Sequence, residues 1–143
     1  MSANWDASME TGDPHMDRQH REIIELVDRL DSIGGDDASW MAQAHDILDG
    51  LMDLTVTHFT TEEFLMVRCG YPDDAQKRML EQHSDFKAYA RIRVLEFRAG
   101  GRSTLALLPG FLRMWLVEHE FGLDRELVNW IRSRSDDQVA AHV

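Results

Sequence analysis

Residues 44–65 read AHDILDGLMDLTVTHFTTEEFL, and the spacing of their apolar side chains decides the fold class. Apolar residues recur in steps of three and four, the period of one face of an α-helix. Two ionisable residues fall on that same face, which comprises Ala44, Leu48, Leu51, Thr55, His58, Glu62 and Leu65. The stretch therefore predicts a long helix over about residues 38–68 whose buried face carries a histidine and a carboxylate.

The same period occurs in three further stretches, at about residues 17–33, 74–99 and 104–134. Helix-breaking sequences separate the four stretches: Gly34-Gly35-Asp36-Asp37, Gly70-Tyr71-Pro72-Asp73 and Gly100-Gly101. Four amphipathic helices joined by short loops predict an all-α fold, an up-down-up-down four-helix bundle. Pro109 lies in the first turns of the last stretch, so that helix could also begin later, near Leu108.

The ends of the chain lack this period. We expect the bundle domain to span residues 1–134, with residues 1–13 forming an extended N-terminal arm in which Trp5 packs on the bundle. Residues 135–143 are expected to form a flexible C-terminal tail.

Composition excludes several classes of partner. The 143 residues include 15 basic and 26 acidic side chains, a formal net charge of −11. This charge disfavours binding to nucleic acid and to anionic membrane, both of which need a basic surface. The single cysteine, Cys69, excludes an internal disulfide, and the N-terminal residues lack the basic and apolar regions of a signal peptide. We therefore expect a cytoplasmic protein with no nucleic-acid or membrane partner; the sequence identifies no protein partner.

The other three helices also carry polar residues on their apolar faces. His20 lies in phase with Ile23 and Ile24, and His83 and His119 occupy core positions of the third and fourth helices. Asp124 follows His119 by five residues, which in a regular helix turns it about 140° away. A local π-helical widening would bring the two side chains together, and such widenings are frequent at functional sites.

Taken singly, each of these residues has an ordinary explanation, such as an exposed i,i+4 pair or a hydrogen-bonded core histidine. As a set, four histidines and two carboxylates inside one bundle would leave several buried groups without water, at about 1–3 kcal/mol each. A shared metal centre removes this cost. Imidazole and carboxylate donors without thiolate favour iron over manganese or zinc. Six ligands exceed what one tetrahedral zinc needs, so two metal ions are expected.

These residues resemble the hemerythrin family, specifically its single-domain bacterial members, over most of the chain. The similar motifs are MDRQH (16–20), HFTTEE (58–63) followed by GYPD (70–73), HSDF (83–86) and WLVEHEFGLD (115–124). The resemblance implies a four-helix bundle around two non-heme iron ions bridged by Glu62, Asp124 and an oxo or hydroxo group. It assigns the metal ligands to His20, His58, Glu62, His83, His119 and Asp124. It also implies reversible O2 binding at an open position on the iron held by His20 and His58.

One position departs from the family pattern. Hemerythrins carry HxxxH on the third helix, whereas Met79 stands four residues before His83 here. A thioether is a poor ligand for iron beside oxygen donors, so we interpret Met79 as a core side chain. The second iron would then have an open position, available to water, a small anion or a displaced side chain such as Gln76.

The function predicted is O2 binding for storage, delivery or sensing, rather than catalysis, with O2 or a small anion as the partner at the iron centre. Two alternatives remain. One is a di-iron oxidase, peroxidase or nitric-oxide-reactive enzyme that uses the position left open by Met79. The other is an iron-binding signalling module. Five ionisable residues near the motifs are placed on the surface and outside the site, namely His15, His45, His142, Glu63 and Glu118.

Overall fold

The backbone forms helices joined by short loops. The computed structural model describes residue 5 and residues 7–33, 39–100 and 102–141, without the side chains of residues 8, 102–105, 119 and 135–141. These residues contain no strand. The elements are a 3-10 helix Ala7–Met9, α1 Pro14–Asp31, α2 Trp40–Arg68, α3 Asp73–Gly100, α4 Arg102–Trp115, a π-helical turn Leu116–Glu120 and α5 Phe121–Ala141. The fold is the expected all-α four-helix bundle, in which α4, the π-helical turn and α5 are the fourth rod.

Helix α1 begins three residues earlier than the apolar pattern predicts, because residues 13 and 14 form a helix start. The Asp13 carboxylate accepts a hydrogen bond from the Met16 backbone N–H at 2.8 Å. Pro14 occupies the first turn, where its missing N–H costs nothing and its fixed φ suits a helix.

The predicted break at 70–73 is confirmed and follows from the conformation of Gly70. Gly70 has φ +68°, which allows the Tyr71 N–H to bond the Met66 carbonyl and the Gly70 N–H to bond the Val67 carbonyl. This pair of bonds ends a helix in a Schellman motif. The predicted turn at 34–37 lies outside the described residues.

The fourth rod begins at Arg102, so the later start near Leu108 is wrong. Pro109 lies inside α4. A proline removes one helical hydrogen bond, but burial of Leu108 and Leu112 on either side of it holds the helix together. The backbone stays helical to Ala141, past the point where we expected the tail to begin. The division into a domain and a flexible tail stays a prediction.

The core has two apolar parts with a polar layer between them. The larger part includes Ile23 of α1, Leu51 of α2, Phe86 of α3 and Leu112 of α4. The smaller part, which we call the Met79 cluster, contains Met16, Met66, Tyr71, Met79, Leu127 and Val128. Each rod passes from one part to the other, and successive rods do so in opposite directions, which confirms the up-down-up-down order. The polar residues of each rod therefore fall at one level of the bundle.

The N-terminal arm is held against this bundle by Asp17. The Asp17 carboxylate is almost fully buried and accepts hydrogen bonds from the Thr11 N–H at 2.7 Å, the Thr11 hydroxyl at 2.8 Å and the Gly12 N–H at 3.2 Å. The expected packing of Trp5 is confirmed, with its ring centroid 6.3 Å from that of Phe121. Among the described helices, none has the length and apolar character required to cross a membrane.

Replacing Asp17 with Ala should lower the free energy of unfolding by about 2–3 kcal/mol, because the buried Thr11 groups lose their acceptor. Asp31→Ala, at the exposed end of α1, is the matched control and should change stability by less than about 0.5 kcal/mol. Urea unfolding monitored by circular dichroism measures both. Equal losses in the two variants would contradict this account of the arm.

Candidate metal centre

The polar layer brings ionisable side chains from all four rods to one level of the bundle. His20 comes from α1, His58 and Glu62 from α2, His83 from α3, and Glu120 and Asp124 from the fourth rod. All six are at most 1% exposed. Apolar side chains cover the layer on both sides, so water cannot compensate these groups.

Three imidazoles turn their Nε2 atoms inward. His20 Nε2 lies 2.6 Å from Asp124 Oδ2 and 3.1 Å from His58 Nε2. His58 Nε2 lies 2.9 Å from the same Asp124 oxygen. His83 Nε2 lies 3.0 Å from Glu120 Oε1 and 3.9 Å from Glu62 Oε2. The convergence of nitrogens and carboxylate oxygens is the arrangement of a ligand set around cations.

Hydrogen bonds on the outer edges of two imidazoles fix this orientation. His58 Nδ1 donates to Gln19 Oε1 at 2.8 Å, and His83 Nδ1 donates to Glu63 Oε1 at 3.2 Å. Since the proton sits on Nδ1, the lone pair of Nε2 faces the interior. Metal-binding histidines show this same pattern of outer hydrogen bonds.

The placement of Glu63 on the surface was wrong. Glu63 is only about one-third exposed and contacts His83 across the α2–α3 interface, because the flank of the α2 core face meets α3 rather than solvent. Glu118 is exposed, as predicted. His45 was also misplaced: it is half-buried with its ring 5.2 Å from that of Phe97. His15 is exposed, and His142 lies outside the described residues.

The fourth rod contains a π-helical widening, but it begins before the predicted segment between His119 and Asp124 and the backbone is α-helical again from Phe121. The Phe121 N–H bonds the Leu116 carbonyl, five residues back, and the π-helical turn spans Leu116–Glu120. The side chain of His119 is outside the described part of the structure, so its role as a ligand stays a prediction. The residue that sequence reasoning missed is Glu120, which the widened turn places inside the polar layer four residues before Asp124. If the fourth helix is assumed to be regular, the positions of Leu112 and Trp115 do not predict that Glu120 faces the core.

Several polar atoms in the layer have no hydrogen-bond partner. They are His20 Nδ1, both oxygens of Glu62, Glu120 Oε2 and Asp124 Oδ1. Glu62 Oε1 also lies 2.5 Å from His58 Nε2 without a suitable hydrogen-bond angle. Crowded, unpartnered buried carboxylates are costly in a protein without a cation and are satisfied by one. The residues present therefore fit a metal centre.

The donor atoms form two overlapping groups. One ligand atom from each of His20, His58 and Asp124 lies within 4.8 Å of the others, and the same holds for His58, Glu62, Glu120 and Asp124. The shared residues put the two groups side by side.

The crowding shifts the pKa of each of the three carboxyl groups. Burial, and then the negative charge of Asp124, raises the pKa of both Glu62 and Glu120 well above the ordinary range. Burial would also raise the pKa of Asp124, but its contacts with Glu62, and then with His20 and His58, outweigh that effect and hold the pKa well below its usual value. Burial lowers the pKa of His20 and His83, which favours the neutral, metal-binding imidazole.

Comparison with known proteins agrees with this geometry. The model of the hemerythrin HHE cation-binding domain matches residues 11–131. The chain belongs to the hemerythrin family. A bacteriohemerythrin from Stenotrophomonas maltophilia is 32% identical over 97% of this chain and 82% of its own length. One from Pseudomonas aeruginosa is 28% identical over 94% and 85%.

The similarity extends to a eukaryote. A hemerythrin-like protein from Naegleria gruberi is 27% identical over 85% of this chain and 87% of its own length. No solved structure matches the chain. Membership of a family of cation-binding domains, together with the buried cluster, identifies a metal-binding protein.

In the metal-free protein, Glu62→Gln should raise stability, and increasingly so as the pH rises above about 4.3. The raised pKa of Glu62 means that the folded state gains stability from the protonated form at low pH and loses it as the pH rises through the folded-state pKa. The amide of the variant carries no charge and escapes this loss, which we expect to reach about 1–3 kcal/mol.

Unfolding of both metal-free proteins between pH 4.5 and 8 measures this difference. Glu25→Gln, on the exposed face of α1, is the control and should show no pH-dependent difference. An advantage of Glu62→Gln that stays constant or shrinks with rising pH would contradict the assignment.

Proposed function

We propose that the protein holds two non-heme iron ions in the polar layer and binds O2 there. The ligands proposed are His20, His58, Glu62, His83, His119 and Asp124. The observation that carries the proposal is the set of buried carboxylate oxygens without hydrogen-bond partners, facing three inward Nε2 atoms. The family match supports it, since the matched domain is a cation-binding one.

The donor chemistry supports iron, and the overlap of the two donor groups supports a pair of ions. Imidazole nitrogens and carboxylate oxygens without thiolate suit iron. Asp124 belongs to both groups, and Glu62 lies between His58 and His83, which supports the proposal that these two carboxylates would be shared by the two irons, together with an oxo or hydroxo group. When bound, a ferrous pair supplies the electrons and the coordination position that O2 requires.

The residues around the layer supply a dry, rigid environment for this chemistry. The Phe121 ring stacks on His20 at 4.0 Å, and the Phe59 ring stacks on His83 at 3.9 Å. Phe86 and Trp115 pack behind them, with ring centroids 4.5 Å apart. These rings fix the imidazole planes and exclude bulk water, which protects a bound gas ligand from competing protons and slows oxidation of the iron.

Storage, delivery or sensing of O2 in the cytoplasm is the role we propose. Oxidase or peroxidase activity is the alternative, and it requires a second exchangeable position on the iron nearest His83. Met79 packs in the Met79 cluster at 1% exposure, which supports its interpretation as a core side chain rather than a ligand. The amide nitrogen of Gln76 donates to the Tyr71 carbonyl at 2.7 Å, so Gln76 would have to give up this bond to reach the iron in the same position.

Mixing the anaerobic, ferrous-loaded protein with O2 should produce a visible charge-transfer absorption that disappears when O2 is removed and returns when it is added. Stopped-flow absorption over repeated cycles measures this reversibility. Rapid, irreversible conversion to the ferric protein, with turnover of added peroxide, would contradict O2 carriage and favour the enzyme.

Gln19→Leu should weaken binding of the ion held by His58 by about tenfold or more, because His58 Nδ1 loses the acceptor that orients the ring. Gln19→Glu keeps a carbonyl-type oxygen in reach and should retain most of the affinity. Competition with a chelator measures both variants. Unchanged affinity in Gln19→Leu would show that His58 does not depend on this contact.

A further inference from the structure

The position that Met79 leaves without a nitrogen donor lies next to His83, and a different residue occupies the space around that imidazole. Glu120 is fully buried, and its Oε1 lies 3.0 Å from His83 Nε2. Its second oxygen, Oε2, has no hydrogen-bond partner. One of its oxygens also lies within 4.8 Å of donor atoms of His58, Glu62 and Asp124.

The contact with His83 satisfies only one of the two Glu120 oxygens, so it does not by itself account for this burial. Glu120 faces two other buried carboxylates, Glu62 and Asp124. Its neighbour Glu118, in the same turn, is exposed to solvent. A carboxylate in such surroundings is strongly destabilising unless a cation compensates it.

The π-helical turn is what brings Glu120 to the layer. Buried residues of the fourth rod recur every four positions at Leu108, Leu112, Leu116, Glu120 and Asp124. In a regular helix each step of four overshoots a full turn by about 40°, so the buried face would drift round the rod. The wider turn at Leu116–Glu120 offsets part of this drift and keeps Glu120 and Asp124 on the inner face together.

We propose that the Glu120 carboxylate is a ligand of the metal ion nearest His83, in the role that the missing third-helix imidazole would have. This inference rests on the proposed metal centre and adds to it a residue that the family pattern does not contain. Glu120 reaches the layer from the fourth rod. It would supply the ligand that the family pattern takes from a third-helix histidine, although it lies at a different place in the sequence.

Charge balance supports an additional carboxylate. Two divalent ions carry four positive charges, and Glu62 and Asp124 supply two negative ones. Glu120 supplies a third, so that a single hydroxide makes the buried centre neutral, whereas without Glu120 a net positive charge would remain in a dry core.

Ligation by Glu120 would limit ligand exchange to one of the two ions. If Glu120 closes the position beside His83, the exchangeable position is confined to the other ion, held by His20 and His58. The site then has the single entry point that reversible gas binding needs, despite the absence of the usual histidine.

The test uses Co(II), whose visible absorption reports the number and kind of its ligands and which can be counted by metal analysis. The full-length protein should bind two Co(II) ions per chain. Glu120→Gln, which keeps the shape of the side chain, should lower affinity for one of them by at least about tenfold and change the absorption bands of that ion. Glu118→Gln, two residues away and exposed, is the matched control and should behave as the unaltered protein.

The possible results separate the two proposals. Two ions bound with unchanged affinity and spectrum in Glu120→Gln would overturn the role of Glu120 and leave the metal centre intact. No Co(II) and no iron bound by the unaltered protein would overturn the metal centre itself. If Glu120→Gln does not fold, a crystal structure of the Co(II)-loaded unaltered protein decides the question. A Glu120 oxygen within about 2.2 Å of an ion supports the inference, and one beyond bonding distance of both ions overturns it.

Discussion

The burial of three carboxylates and three imidazoles in one layer of the bundle is the constraint on which the structure depends. Glu62, Glu120 and Asp124 are fully buried, and four of their six oxygens lack a hydrogen-bond partner. An apolar core tolerates such groups only if a cation or a proton neutralises them. The raised pKa of Glu62 and of Glu120 is the response available to the metal-free protein, and metal binding is the response for which the inward Nε2 atoms are arranged.

The rest of the fold supports this layer. The larger apolar part on one side and the Met79 cluster on the other supply the hydrophobic stabilisation that offsets a costly polar centre. Phe59 and Phe121 join the two roles, since each belongs to the larger apolar part and stacks on an imidazole. In the N-terminal arm, Trp5 packs against Phe121. Asp17, which holds the arm in place through Thr11, lies three residues before His20 in the sequence. The same side chains therefore pack the core and orient the imidazoles.

The sequence predicted the bundle and most of the layer because both follow from helical phase. His20, His58 and His83 were found from their spacing to apolar neighbours, which needs no knowledge of the other rods. Glu120 was missed because its inward direction depends on the π-helical turn, and the widening had been considered only as a means of pairing His119 with Asp124. Gln19 and Glu63 were missed for another reason: their roles depend on contacts between rods, which spacing within one helix does not contain.

Counting the metal ions is the most direct test of the central claim. The metal-free protein is titrated with Fe(II) without oxygen, freed of unbound metal, and assayed for iron and protein. A buried centre with two overlapping donor groups predicts two irons per chain. A protein that folds fully and retains no iron would contradict the account, because the buried carboxylates would then have to be explained without a cation.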